Sequence, residues 1–405
     1  MEQIELEVAI EQLTKQIQPQ MNMKTVSILK ARNHHLASDI YASLNVPSFN
    51  RSAMDGYAVK ASQTLGATKE RPIKLKVMAE VFAGDYLSEQ APQNQAVRVM
   101  TGAYIPDGFD AVIRQEDTDF GELQVSLFAE VVPFQNYIKI GEDIKVGQLM
   151  IKKYTLLTPL HLGILASLGV AEVDVLEPLR VGIISSGSEL VIPGQSLNEG
   201  QIFDSNRYVL EAKLREMNVD VIFSEKISDN DKELAEVIHN QINRVDLIVT
   251  TGGVSVGKKD MMHAAIERLG AIRLFWRIKM RPGTPVLASL YQDKLILSLS
   301  GNPFAALTTF ELLFRPLIAI AMQDEGYTCK RQEALLMNDF SKKSKQRRFV
   351  RAYYVSGHVF LPTNEHASSV LSSMLDCNCF IDIKAGTEAL DKGAKVEVVL
   401  LANQF

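Results

Sequence analysis

The stretch that most constrains this chain runs from Asp246 to Met262, DLIVTTGGVSVGKKDMM. Leu247-Ile248-Val249-Thr250 is apolar and β-branched, the composition of a strand buried on both faces. Gly252 and Gly253 break it, Gly257 follows, and a helical pattern begins near Asp260. Strand, glycine turn and helix in that order is how an open α/β sheet builds an anion site. The glycines let backbone approach a ligand, and the first helical turn points free N–H groups at it. Residues 252–259 match the phosphate loop G-x-x-x-x-G-K-[ST] except at its last position, where Lys259 has no hydroxyl for Mg²⁺. That departure, with Asp260 two positions after Lys258, disfavours a P-loop NTPase. A glycine turn chosen only for tight packing is the plain alternative, set against two more such turns nearby.

Those turns lie between residues 178 and 322, where strand and helix patterns alternate as in a parallel-sheet α/β domain. Val181 to Ile184 runs into SSGSEL, and Leu295 to Leu299 runs into SGNP, with Asn302 as N-cap and Pro303 as first helical residue. Ligands of such sheets bind at the carboxyl ends of strands, so three glycine turns there point to a phosphate-bearing ligand. Upstream, residues 1–45 carry helical periodicity (Ile4, Val8, Ile10 and Leu13, then 30–39). A second helix is predicted over 158–169, from N-cap Thr158 to Gly169. Between these pieces, residues 72–134 alternate as strands, so the simplest architecture inserts a β-rich block into a helical domain. Residues 326–405 read as a small β-domain.

Length supports more than one domain: 405 residues, 46% hydrophobic and 22% charged. A net charge of −5 with no basic cluster among aromatics gives no case for nucleic acid. Cys329, Cys377 and Cys379 make neither a disulfide framework nor a zinc set, and read as buried thiols. The acidic, amphipathic start is not a signal peptide, and no apolar run approaches a membrane span, so the expected location is cytoplasmic.

Glu189, Asp229 and Asp260 each fall at the end of a strand or the start of a helix. Asp229 reads as a plain helix cap and Glu189 as a first-turn acid when taken alone. Clustered, two carboxylates about 4 Å apart repel by about 4 kcal/mol at a near-surface dielectric, which calls for a cation such as Mg²⁺. Lys258, Lys259, Arg277, Lys279 and Arg281 supply the opposite sign, and would hold an oxyanion if they converge. Asp55 heads a DG turn, and Thr101 ends a short strand. Either serves equally to satisfy local backbone.

The ordered set PSFNRSAMDGYAV, RVMTGAYIPDGFDAV, GEDI, SSGSEL, FDSN, TTGGVSVGKKD, RPGTP and SGNP, with RRFVRAYY and SSVLSSMLDCN in the tail, resembles the MoeA family of molybdopterin molybdenumtransferases, which includes the gephyrin E domain. The resemblance covers essentially the whole chain. It implies a multidomain α/β protein: a helical domain (1–45 plus 141–175), an inserted β-rich domain (46–140), a three-layer molybdopterin-binding α/β domain (176–325) and a C-terminal β-barrel (326–405). It implies a homodimer with a shared cleft, and as a further partner the protein that adenylylates molybdopterin. The implied reaction inserts molybdate into adenylylated molybdopterin with Mg²⁺, releasing AMP and molybdenum cofactor. The family's acidic positions fall on Asp55, Asp143, Glu189, Asp229 and Asp260, the last three as metal ligands. Its substrate-binding positions fall on Thr101, Gly252, Gly253, Ser255, Gly257, Arg277, Lys279, Arg281, Ser300, Gly301, Asn302 and Pro303. Departures cluster on the basic side: the family's K-P-G-K-P reads Arg281-Pro-Gly-Thr-Pro285, the lysine after tryptophan is Arg277, and L-P-G-N-P reads Leu299-Ser-Gly-Asn-Pro303. Arginine keeps the charge and adds a planar fork, whereas Thr284 loses a charge. A non-catalytic carrier or scaffold of the same fold is the alternative reading.

Overall fold

The computed structural model describes residues 3–254, 261–362, 367 and 369–401. At its centre is a six-stranded sheet in the order Asp220–Ile227, Arg180–Ser186, Leu247–Thr251, Lys294–Leu299, Leu287–Tyr291, Ile272–Trp276. The first four strands are parallel. Leu287–Tyr291 runs antiparallel to both of its neighbours, a reversal that the alternating pattern does not predict. Alternation of side chains sends Val181, Ile183, Val249 and Leu297 to one face and Ile184, Ile248 and Ile296 to the other. The first face packs on helices α1 (Leu6–Thr14), α3 (Ser205–Glu216) and α6 (Pro303–Met322), and the second on α4 (Asp231–Gln241) and α5 (Met261–Arg268). The result is three layers. Helix α6 is long and apolar enough to cross a membrane (mean hydropathy 1.6), but 89% of that window is buried inside the fold.

The segments on either side of the inserted lobe come together. Met23–Ser27 pairs antiparallel with Glu172–Leu176, and Ile40–Tyr41 with Leu149–Ile151, beside α2 (Pro159–Ser167). This part holds less helix than its periodicity predicts. Residues 30–39 contain no α-helix, because Leu36 bonds to Thr155 and Tyr154 across the lobe instead. In α1 the buried face is Leu6, Ala9 and Leu13, and Val8 is exposed. Between these segments a five-stranded sheet forms in the order Ala111–Arg114, Gly56–Val59, Gln95–Val99, Ile73–Val81, Gln124–Leu127. The C-terminal strands close a barrel: Arg347–Val355, His358–Phe360, Arg331–Leu336, Lys395–Leu400 and Cys379–Ile383, which pairs back to the first. Burial pushes the Cys329 and Cys379 thiols up to about 12 and Cys377 to about 11, so all three stay protonated at neutral pH.

Candidate active site

Because the Arg180, Leu247 and Lys294 strands are neighbours and parallel, their three glycine turns emerge side by side. The close approach requires glycine at position 252. Its φ is +95°, and a Cβ there would lie 2.2 Å from the Ser186 carbonyl oxygen. Gly252 N–H donates to the Leu299 carbonyl (3.1 Å), and the Thr251 hydroxyl to that of Ser300 (3.1 Å). Asn206, near the start of α3, fastens the two turns together. Its Nδ2 donates to Thr251 Oγ1 (3.0 Å) and to the Gly301 carbonyl (2.7 Å). Sequence reading cites Asn206 only inside the FDSN motif, since no local pattern shows which side chain spans two turns. The turns bound a cleft of about 620 Å³, within the range of small-molecule sites. Of the predicted residues, Glu189, Asp229, Gly252, Gly253, Ser300, Gly301, Asn302 and Pro303 line it.

Asp229 is not a plain helix cap. Asn230 caps α4, its side chain accepting from the N–H groups of Lys232 (3.0 Å) and Glu233 (3.2 Å). Asp229 is therefore free to face the cleft, where its Oδ2 accepts from Ser188 N–H (3.1 Å). The Glu189 carboxylate folds back over Gly187, where a Cβ would stand 2.9 Å from Glu189 Oε2. Asp260, Ser255 and Gly257 lie outside the described residues, and among the described residues no three acids, histidines or cysteines gather as a metal cluster. Ser186 Oγ is buried at the cleft without a partner among the described residues.

The basic residues do not all converge. Arg281 lines a second, smaller pocket of about 200 Å³ with Lys342, Arg348, Arg351 and Phe304, and none of its described lining residues is acidic. Register explains the pairing: Met280–Arg281 adds in parallel to the barrel strand, placing Arg281 opposite Arg348. Burial and the Arg281 charge hold the Arg348 guanidinium below its ordinary pKa, and Arg348 Nε is buried without a partner among the described residues. Arg351 is fully buried over the Phe304 ring (3.8 Å) and donates to the carbonyls of Val370 and Ala367. Lys342, Arg348 and Arg351 were not singled out from sequence, although the last two sit in the quoted RRFVRAYY. The two pockets adjoin across the start of α6, with Pro303 in one wall and Phe304 in the other.

Arg277 and Lys279 line neither pocket. Arg277 has a left-handed backbone (φ +78°) and stacks on Trp276 (5.1 Å), whose Nε1 holds the Val254 carbonyl (3.1 Å). Lys279 pairs with Glu5 (2.9 Å). Thr284 donates to the Met280 carbonyl (2.6 Å), so the position that loses a lysine instead closes its turn. Asp55, Thr101 and Asp143 are also absent from the cleft wall. Asp55 Oδ1 accepts from the N–H and the hydroxyl of Thr101, both at 2.7 Å, and these bonds lower its pKa. Asp143 is exposed, its N–H bonded to the Val46 carbonyl (3.0 Å).

Three family models match in order: "MoeA N-terminal region (domain I and II)" over 4–169, "Probable molybdopterin binding domain" over 182–320, and "MoeA C-terminal region (domain IV)" over 333–401. A Haemophilus influenzae protein named molybdopterin molybdenumtransferase is 36% identical, covering 92% of both chains. One of the same name from Bacillus subtilis is 36% identical, covering 96% of this chain and 92% of its own. The crystal structure of a molybdopterin biosynthesis MoeA protein from Pyrococcus horikosii superposes with a TM-score of 0.88 at 30% identity, over 99% of this chain and 100% of that one. Matched along its length by these models and relatives, the chain belongs to the MoeA family.

Proposed function

We propose that this chain is a molybdopterin molybdenumtransferase, which inserts molybdate into adenylylated molybdopterin and releases AMP. The observation that carries the reading is the pair of adjoining pockets. One is built of glycine turns and carboxylates and sized for a nucleotide conjugate. The other is small, basic and sized for an oxyanion. Backbone N–H groups of the turns bind the phosphates, and Arg281 and Arg348 hold molybdate beside them, with the buried Arg351 forming the floor of that pocket. Glu189 and Asp229 offer the hard oxygens that suit Mg²⁺, with phosphate and water completing its shell. Mg²⁺, when bound, would neutralise charge developing on the phosphoanhydride. Asp229 and Glu189 also orient the attacking oxygen. A homodimer in which the inserted lobe of one copy covers the cleft of the other would bring Asp55, Thr101 and Asp143 to the substrate. The reading carries a cytoplasmic location, where three free thiols stay reduced.

The test is AMP release from adenylylated molybdopterin with Mg²⁺, with and without molybdate. Release is expected to depend on molybdate. Arg348→Ala should raise the half-saturating molybdate concentration roughly 10- to 100-fold, the range for one lost charged hydrogen bond. Tight binding of the nucleotide with no AMP under any oxyanion or divalent metal would sink the transferase and leave a carrier.

A further inference from the structure

The acid-and-glycine cleft has one wall that none of the preceding chemistry uses. Ile202 and Phe203 line it, yet they are 56% and 42% exposed. Elsewhere the wall mixes glycine backbone, hydroxyls, amides and carboxylates with the smaller apolar surfaces of Leu190, Pro285 and Pro303, and its Val254 is buried. Two large apolar side chains left open inside a concave site that also gathers carboxylates and glycine turns are the unusual feature, since a lone exposed apolar residue on a convex surface is ordinary.

Their backbone is fixed on both sides. Ile202 N–H donates to the Glu189 carbonyl (3.0 Å), and Asp204 N–H to the Val191 carbonyl (2.9 Å), in a short parallel pair of Leu190 with Ile202 and Val191 with Phe203. The next residue, Asp204, is buried. It accepts from the Ser185 hydroxyl (2.5 Å) and from Arg207 Nε (3.0 Å), and caps α3. The residue that carries the Glu189 carboxylate thus also anchors the apolar pair.

We propose that Ile202 and Phe203 form a shelf on which a planar heteroaromatic ring of the ligand stacks, while its phosphates lie toward the glycine turns. This rests on the ligand being a pterin nucleotide, which carries two such rings, pterin and adenine. Stacking on an aromatic side chain is indifferent to ring identity, because every such ring presents a π-face. The location inside a cleft with converging polar groups favours a small ligand over a protein surface.

The experiment measures binding of AMP and of pterin-6-carboxylate, separately, to the full-length protein without molybdate or turnover. Calorimetry serves both probes, and quenching of intrinsic fluorescence serves the pterin. Phe203→Ser is expected to weaken one probe roughly 5- to 100-fold, the range for one lost stack, and Phe203→Tyr to restore it. Loss of pterin affinity and quenching assigns the pterin ring to the shelf; loss of AMP affinity assigns adenine. Unchanged affinity for both probes overturns the proposal, as does a wild type that binds neither at millimolar concentration. So does a Phe203→Ser protein that changes oligomeric state while binding both normally, which would make the shelf a subunit contact. AMP release by the wild type is scored independently, so either reading can fail without the other.

Discussion

Replacing Asp229 with alanine is expected to slow AMP release at least about 100-fold, the scale of removing one preorganised electrostatic group, while leaving thermal stability almost unchanged. The second half of the expectation follows from the cap assignment. Asn230 satisfies the first N–H groups of α4, so Asp229 can leave without unfolding that end of the helix. Among the described residues its side chain holds Ser188 N–H, at an exposed bond that water replaces. Asn230→Ala is the contrasting variant: a lost cap costs about 1 kcal/mol of stability, with the rate largely kept. Asp229→Asn keeps an acceptor for Ser188 but removes the charge, and should be nearly as slow as alanine. Single-turnover AMP release and calorimetric melting decide the matter together. A normal rate in Asp229→Ala, or a rate that falls only because the protein melts, would remove Asp229 from the reaction.

Asp382→Asn should destabilise the barrel by about 3 kcal/mol at pH 7, with the transferase cleft only indirectly affected. Asp382 lies on the Cys379–Ile383 strand with its side chain almost fully buried, accepting from Arg331 (2.7 Å) and twice from Arg347 (2.8 and 2.7 Å). Burial alone would raise its pKa, but the bonds from Arg347 and Arg331 outweigh burial and hold it below the ordinary carboxylate range. Breaking a buried pair by removing one partner costs about 3–5 kcal/mol. The lower end applies because Arg331 is over a third exposed, and each arginine keeps a second carboxylate, Glu397 or Glu7. The sign with pH is fixed by the depressed folded pKa. The stabilisation is present above the unfolded value near 4 and is lost as pH falls through the folded one. Wild-type barrel stability should therefore drop below about pH 4, and Asp382→Asn should flatten that drop. Hydrogen exchange of the barrel amides across pH reads both effects, and equal protection in the two proteins would contradict the account.

What was legible in the sequence was local. A buried strand, a glycine pair and a helix start lie within a few residues of each other, so the three turns of the cleft could be placed without knowing the fold. The residues that escaped depend on distant partners. Asp55 meets Thr101 across two strands of the inserted sheet, and nothing near either position announces the other. Arg281 meets Arg348 because a two-residue strand adds to the barrel, a pairing invisible to any window around RPGTP. The sequence marks Ser228-Asp229-Asn230 together as the cap of α4, because all three residue types cap well, and the structure gives the role to Asn230. Only backbone geometry separates them. The apolar periodicity of 30–39 failed for a related reason: cross-lobe hydrogen bonds at Leu36 overrode a weak helical preference.

The pairing of Met23–Ser27 with Glu172–Leu176 has a consequence for how the molecule is made. As the chain leaves the ribosome, residues 23–27 are exposed long before their strand partner exists. The inserted sheet, whose strands span residues 56 to 127, is synthesised complete in the interval. Birth order therefore runs from the inside outward: the guest lobe can fold first, and the frame that carries it closes only after residue 176. Nascent chains halted at residue 170, before Glu172–Leu176 is made but with the inserted sheet clear of the exit tunnel, should resist protease across 56–127 and be cut within 15–45, and protection of both parts at that length would refute this order.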